Sequence, residues 1–138
     1  MIPSMEQVAK KDGINMSYAG NIGNTFDSHR LIWKAHADGG SELQDRIVEE
    51  LFKAYFENEK SLGDHDVLKE CAEKAGMDAT PLLNDQSMGQ EETLAEMEEF
   101  RTKYRCSGVP FFVFDGKYDL SGAQPPEEIV SVLERLLD

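Results

Sequence analysis

Two thiols and one proline-led apolar stretch hold most of the chemistry this sequence can offer. Cys71 and Cys106 stand 35 positions apart, so they form neither a CxxC pair nor a disulfide framework. A thiol attacks only as its thiolate, which a helix N-terminus or a neighbouring cation favours. Cys71 falls with Val67, Leu68 and Ala75 on the apolar side of a predicted helix, the place of a small buried hydrophobe. Cys106 opens the stretch CSGVPFFVF, four residues before Pro110, with Arg105 as its cationic neighbour in sequence. It is the candidate reactive thiol. The plainer reading is an inert thiol, because no resolving cysteine lies nearby.

Other polar groups point to chemistry less strongly. His29 and His36 share a face of one predicted helix, but there is no HxxxH pair and no cysteine pair, so no zinc set is expected. Asn24, Asp27 and Arg30 could hold a substrate, although helix capping and surface pairing suffice to explain them. Trp33 with Phe26 and Leu31 could line an apolar pocket, although core packing accounts for them as well. The glutamates from Glu91 to Glu99 lack the spacing of a calcium loop and read as a solvated helix face. No glycine-rich phosphate loop and no GxSxG nucleophile motif occurs, and no cofactor is expected.

The elements that must position these residues are mostly helical. MEQVAKKDG reads as a helix tail closed by Gly13, and INMSY as a short extended piece or loop. Asn24 can cap FDSHRLIWKAHAD, which stops at Gly39-Gly40. Ser41 and Gln44 form a capping-box pattern for the next helix. Its apolar stripe is Leu43, Ile47, Leu51 and Tyr55, widened by Val48, Phe52 and Phe56. Asp64 caps VLKECAEKA, which ends at Gly76, and Asp78 caps a short helix through Leu82-Leu83. An acidic helix follows, roughly 90–105, with Leu94, Met97, Phe100 and Tyr104 along one side.

The texture then changes. Val109 to Phe114 is apolar on both faces, as a central strand is. Asp115-Gly116 is a hairpin signal, since a type I′ turn needs positive φ at both central positions. Lys117 to Leu120 reads as the returning strand. Pro125-Pro126 suits a helix start, with Ile129, Val130, Leu133, Leu136 and Leu137 as the buried face. The class is therefore α/β, rich in helix.

The 138 residues are expected to form one domain with a core large enough to need no staples. The net charge of −13 repels phosphate backbones and anionic lipid heads, so neither nucleic acid nor a membrane is an expected partner. No run approaches the ~18 apolar residues of a membrane span. The start, MIPSMEQVAKKDG, lacks the pattern of a signal peptide, which with free thiols predicts a cytoplasmic protein.

Three blocks in order resemble the DsbA-like branch of the thioredoxin superfamily, within it the FrnE-like thiol–disulfide oxidoreductases. They are GNTFDSHRLI from Gly23 to Ile32, LFKAYFENEKSLGDHDVL from Leu51 to Leu68, and SGVPFFVFDGKYDLSGAQPPE from Ser107 to Glu127. The 2-hydroxychromene-2-carboxylate isomerases and kappa-class glutathione transferases are relatives of this branch. The resemblance implies a thioredoxin-like fold of the DsbA type, with a helical insertion at about 24–105 and the C-terminal hairpin and helix at about 106–138. It implies a cis peptide bond before Pro110, and a peptide or thiol substrate contacted by Val109 and Pro110.

The family pattern begins with a strand, a CxxC helix and a second strand, a unit of at least ~30 residues. Only 22 residues precede GNTFDSHRLI, and none is cysteine. The fold is therefore expected to be incomplete, and the chain inactive alone in disulfide exchange. Two alternatives stay open: a non-catalytic binding or assembly module using the Pro110 loop, and a glutathione-dependent or isomerase-like enzyme. A hairpin left without its usual neighbours has an unpaired edge, which predicts a homo-oligomer formed through these strands.

Overall fold

Helix boundaries follow local chemistry in the computed structural model, which describes residues 2–138. The first helix, α1 (Ile2–Lys11), is followed by Gly13 at φ 78°. Asn24 places its Oδ1 2.9 Å from the Phe26 N–H and so satisfies a free donor at the start of α2 (Phe26–Phe52). The Asp64 side chain caps α3 (His65–Ala75) by accepting from the Asp66 N–H, and Gly76 closes it in the left-handed region. Asp78 does the same for the Thr80 N–H at the start of α4 (Thr80–Asn84). The remaining helices are α5 (Gln90–Thr102) and α6 (Pro126–Leu137). Pro126 stands at the first position of α6, where the missing N–H costs nothing.

Two departures from the expected pattern concern α2. Its helical path does break at Gly39-Gly40 as expected, where Gly40 takes the non-helical φ 66° and ψ −162°. The Ser41–Gln44 capping box does not form, because the Gln44 amide donates to the Ile32 carbonyl across the kink at 3.2 Å. The second departure is at the other end. Residues Lys53–Glu57 form a turn of π-helix, closed by the Asn58 N–H on the Lys53 carbonyl at 3.1 Å. Leu43, Ile47 and Leu51 are buried as expected, but Ala54 takes the next buried position and Phe52 is exposed.

The chain divides into two compact units, Met1–Thr93 and Leu94–Asp138, with the boundary inside α5. In the first unit, α2 packs on α3 and α4. Its core joins Leu31, Ala35, Leu43, Ile47 and Leu51 with Val67, Leu68, Cys71 and Ala72, and with Leu82 and Leu83. Arg30 lies inside this unit with no exposed surface. Its guanidinium donates to the carbonyls of Met88 (2.9 Å), Leu82 (2.8 Å) and Asp85 (2.6 Å), and to the Asp27 carboxylate (2.8 Å). The surface role expected for Arg30 is thus corrected: it ties the segment from Leu82 to Met88 onto α2. Burial would raise the Asp27 carboxyl, but hydrogen bonds from His65 and Arg30 outweigh it and hold Asp27 below the usual carboxylate range.

The second unit carries the strands β1 (Phe111–Phe114) and β2 (Tyr118–Ser121), paired antiparallel from Phe111↔Ser121 to Phe114↔Tyr118. Asp115 and Gly116 both have positive φ, 51° and 64°, and the Lys117 N–H returns to the Phe114 carbonyl at 3.0 Å. This is the geometry that the Asp-Gly pair predicts. The ladder leaves Lys117 in the loop, so β2 begins one residue later than expected. β1 begins at Phe111 rather than Val109, because proline has no N–H to give to the ladder.

Burial in this unit differs most from the periodic pattern. All four β1 residues are only half-buried. Val132 is the buried side chain of α6, while Val130, Leu133 and Leu137 are exposed. Leu94, Met97 and Phe100 of α5 are exposed too. Two four-residue strands and a twelve-residue helix offer too little facing apolar surface to cover these stripes. Among the described residues, no helix is long and apolar enough to cross a membrane.

Candidate functional site

The segment from Arg105 to Pro110 is shaped from both sides. After α5, Arg105 turns back at φ 53°, and the Cys106 N–H donates to the Phe100 carbonyl at 3.1 Å. Phe100 and Tyr104 hold their rings 5.2 Å apart beside this turn. On the far side, the Pro110 carbonyl accepts from the Gly122 N–H at 2.8 Å, which extends the hairpin by one bond beyond Phe111. The Val109–Pro110 peptide bond is cis.

Between these two anchors Val109 is 90% exposed. Its N–H and C=O take no hydrogen bond within the described residues. An exposed main-chain donor and acceptor beside a strand end can pair with an extended peptide, in the manner of strand addition. The site thus offers backbone recognition more plainly than it offers a nucleophile.

The two thiols are both free. Cys106 is half-buried, and its Sγ donates toward the Gly108 carbonyl at 3.3 Å. Cys71 is buried among the residues of α2 and α3, as its position on the apolar side predicts. Burial pushes its thiol above the usual range, and the Glu50 carboxylate adds to this against the opposing Lys74. A thiol held protonated in a core is inert.

The other polar candidates serve the fold. Asp27 accepts from Arg30 and meets His65 Nε2 at 2.7 Å, joining α2 to the start of α3. His29 Nδ1 lies 2.7 Å from the Thr25 carbonyl, and His36 is exposed. Among the described residues, no group of three His, Cys, Asp or Glu side chains is placed to hold a metal. Trp33 packs against Gly89, where an added Cβ would lie 2.5 Å from its ring. Gly89 also has φ 72°, so the position needs glycine for two separate reasons. A groove beside the π turn escaped the sequence reading, since a helix that widens by one residue leaves no periodic signature.

The helix-rich order ending in a hairpin and helix, with a cis-proline at the mouth of the hairpin, fits a thioredoxin-like fold of the DsbA type. The family model of the DSBA-like thioredoxin domain matches residues 1–134, and the chain belongs to this family. It is similar to the thiol:disulfide interchange protein DsbA of Pseudomonas syringae pv. tomato, with 28% identity over 120 residues. That alignment covers 85% of this chain and 55% of the relative, so the chain spans about half the length of the curated relative it matches.

Proposed function

We propose that this chain serves thiol–disulfide exchange as a substrate-holding part, with the redox pair supplied from outside these 138 residues. The observation that carries this is the exposed Val109 main chain, next to a cis-proline and without partners among the described residues. Family membership and the similarity to a thiol:disulfide interchange protein support the chemistry. The three blocks quoted above support the FrnE-like subgroup within it.

Exchange proceeds when a thiolate attacks a disulfide sulfur, forms a mixed disulfide, and is released by a second thiol. Cys71 is too buried for the first role, and Cys106 has no second cysteine near it in sequence for the last. The chain alone is therefore expected to add nothing to the reduction of insulin by dithiothreitol. Turnover above the dithiothreitol background that Cys106→Ser abolishes would overturn this reading. In the same samples, a reduced, unstructured peptide should move the amide resonances of residues 107–109, 111 and 122–123. Shifts confined to other residues would count against the Pro110 loop as its contact.

The same loop can act without redox chemistry, as a binding or assembly module, and that reading shares the Val109 geometry. The isomerase-like alternative draws no support from Trp33, which is occupied with Gly89. The oligomer proposal rests on β1, which pairs only with β2 among the described residues and keeps four half-exposed apolar side chains. Such an edge invites a second copy. Sedimentation equilibrium at about 100 µM protein is expected to show dimer or larger, a concentration at which even a modest ~10 µM interface is mostly filled. A monomer at that concentration rejects pairing through the hairpin.

A further inference from the structure

The geometry points to a second binding site in the Met1–Thr93 unit: a groove beside the π turn that takes an apolar molecule bearing an ammonium group. The groove is half open to solvent and has a volume of about 540 Å³, within the range of small-ligand sites. Its apolar surfaces are Ile14 and Met16 from the loop after α1, and Phe52 and Phe56 from the end of α2 and the π turn. Phe52 is 55% exposed, a large aromatic held at the opening rather than in the core. Phe52 and Phe56 meet edge to face at 5.7 Å, and Tyr55 meets Phe56 at 4.9 Å, so the aromatic rings support one another.

The walls are fastened. The Asn15 N–H donates to the Glu57 carboxylate at 3.0 Å, and the Ser17 N–H to the Phe56 carbonyl at 2.7 Å. The Ser17 hydroxyl donates to the Glu59 carboxylate at 2.7 Å. These three bonds hold the loop against the π turn, so the groove is formed before any ligand arrives. Ala54 faces the core, while Phe52 and Phe56 line the groove.

Charge selects the ligand class. Glu49, Glu50 and Glu57 line the groove against a single Lys53, so its field is negative. Carboxylates beside aromatic faces favour a cation that also carries apolar surface, through Coulomb attraction and cation–π contact together. A carboxylate or phosphate ligand meets repulsion there. This proposal does not rest on the Pro110 loop or on disulfide exchange.

Three matched probes test it on the full 138-residue chain by amide chemical shift titration: 3-phenylpropylammonium, 3-phenylpropanol and 3-phenylpropionate. The ammonium is expected to shift residues 14–16 and 49–57, and to bind about three- to tenfold tighter than the alcohol, with the carboxylate weakest. Glu49→Gln with Glu50→Gln should erase the difference between ammonium and alcohol. Phe52→Ala, at an exposed position, should weaken both while leaving the circular dichroism spectrum unchanged. Equal binding of the three probes, shifts confined elsewhere, or no shifts at millimolar ammonium would overturn the proposal.

Discussion

Arg30→Met is expected to lower the unfolding free energy by about 3–5 kcal/mol. Methionine matches the apolar stem of arginine but gives none of its donors. The backbone carbonyls of Leu82 and Met88 then lose their partner, that of Asp85 keeps only the Met88 N–H, and the Asp27 carboxylate keeps only His65. A buried acceptor left unpaired costs more than the bond contributed, because the unfolded chain still pairs it with water. Arg30→Lys keeps the charge but not the planar fork, and should still lose about 2 kcal/mol. Urea unfolding of each variant at neutral pH reads this directly, with an unchanged m value identifying the loss as one of stability. A loss under about 1 kcal/mol for Arg30→Met would mean that water replaces the guanidinium, and would remove its role as a tie.

The same cluster sets a pH dependence. Asp27 is depressed in the folded state from an ordinary value of 3.8. Its contribution is therefore present in full above that value and lost as pH falls through the lower folded one. Acid unfolding of the Arg30→Met variant should begin at higher pH than that of the parent chain.

Leu68→Ala should cost about 2–5 kcal/mol, whereas Leu137→Ala should stay within about 0.5 kcal/mol. Both leucines sit on helices with a clear apolar side. Leu68 has no exposed surface and lies between α3 and α2, so truncation removes contacts and leaves a cavity. Leu137 is 88% exposed and has little to lose. Thermal or urea unfolding of the pair checks this, and equal losses would show that α6 is covered in solution by surface that it does not meet here. A large Leu137 effect that fades on dilution would identify a second copy as the cover.

The helix starts and stops were legible because each rests on groups within three or four residues. The Asp64 cap, the Gly76 stop, the Asp78 cap and the positive φ values at Asp115 and Gly116 all follow from side chains beside the backbone they serve. Helix stripes were legible only where the partner surface exists. The pattern Leu43–Ile47–Leu51 is buried because α3 lies opposite, while the equally periodic Leu94–Met97 and Val130–Leu133–Leu137 are exposed. Periodicity states which side of a helix is apolar; it does not supply what covers that side.

For the candidate site, the residue types alone marked Val109, Pro110 and Cys106, and the count and spacing of cysteines determined that no CxxC pair lies within the chain. Those statements need only the order of residues. Tertiary structure decided the rest. It placed Val109 outward with its main chain free of partners among the described residues, and turned the Cys106 sulfur toward Gly108. It also took Arg30 from an expected surface position to the interior of the helical unit, because the carbonyls it binds lie 52 to 58 residues ahead and only folding brings them within reach. The groove at Phe52 arises the same way, from a loop that precedes α2 being pinned to a π turn that follows it. Local chemistry is written between neighbours, whereas burial and binding surfaces are properties of contacts between segments far apart in the chain.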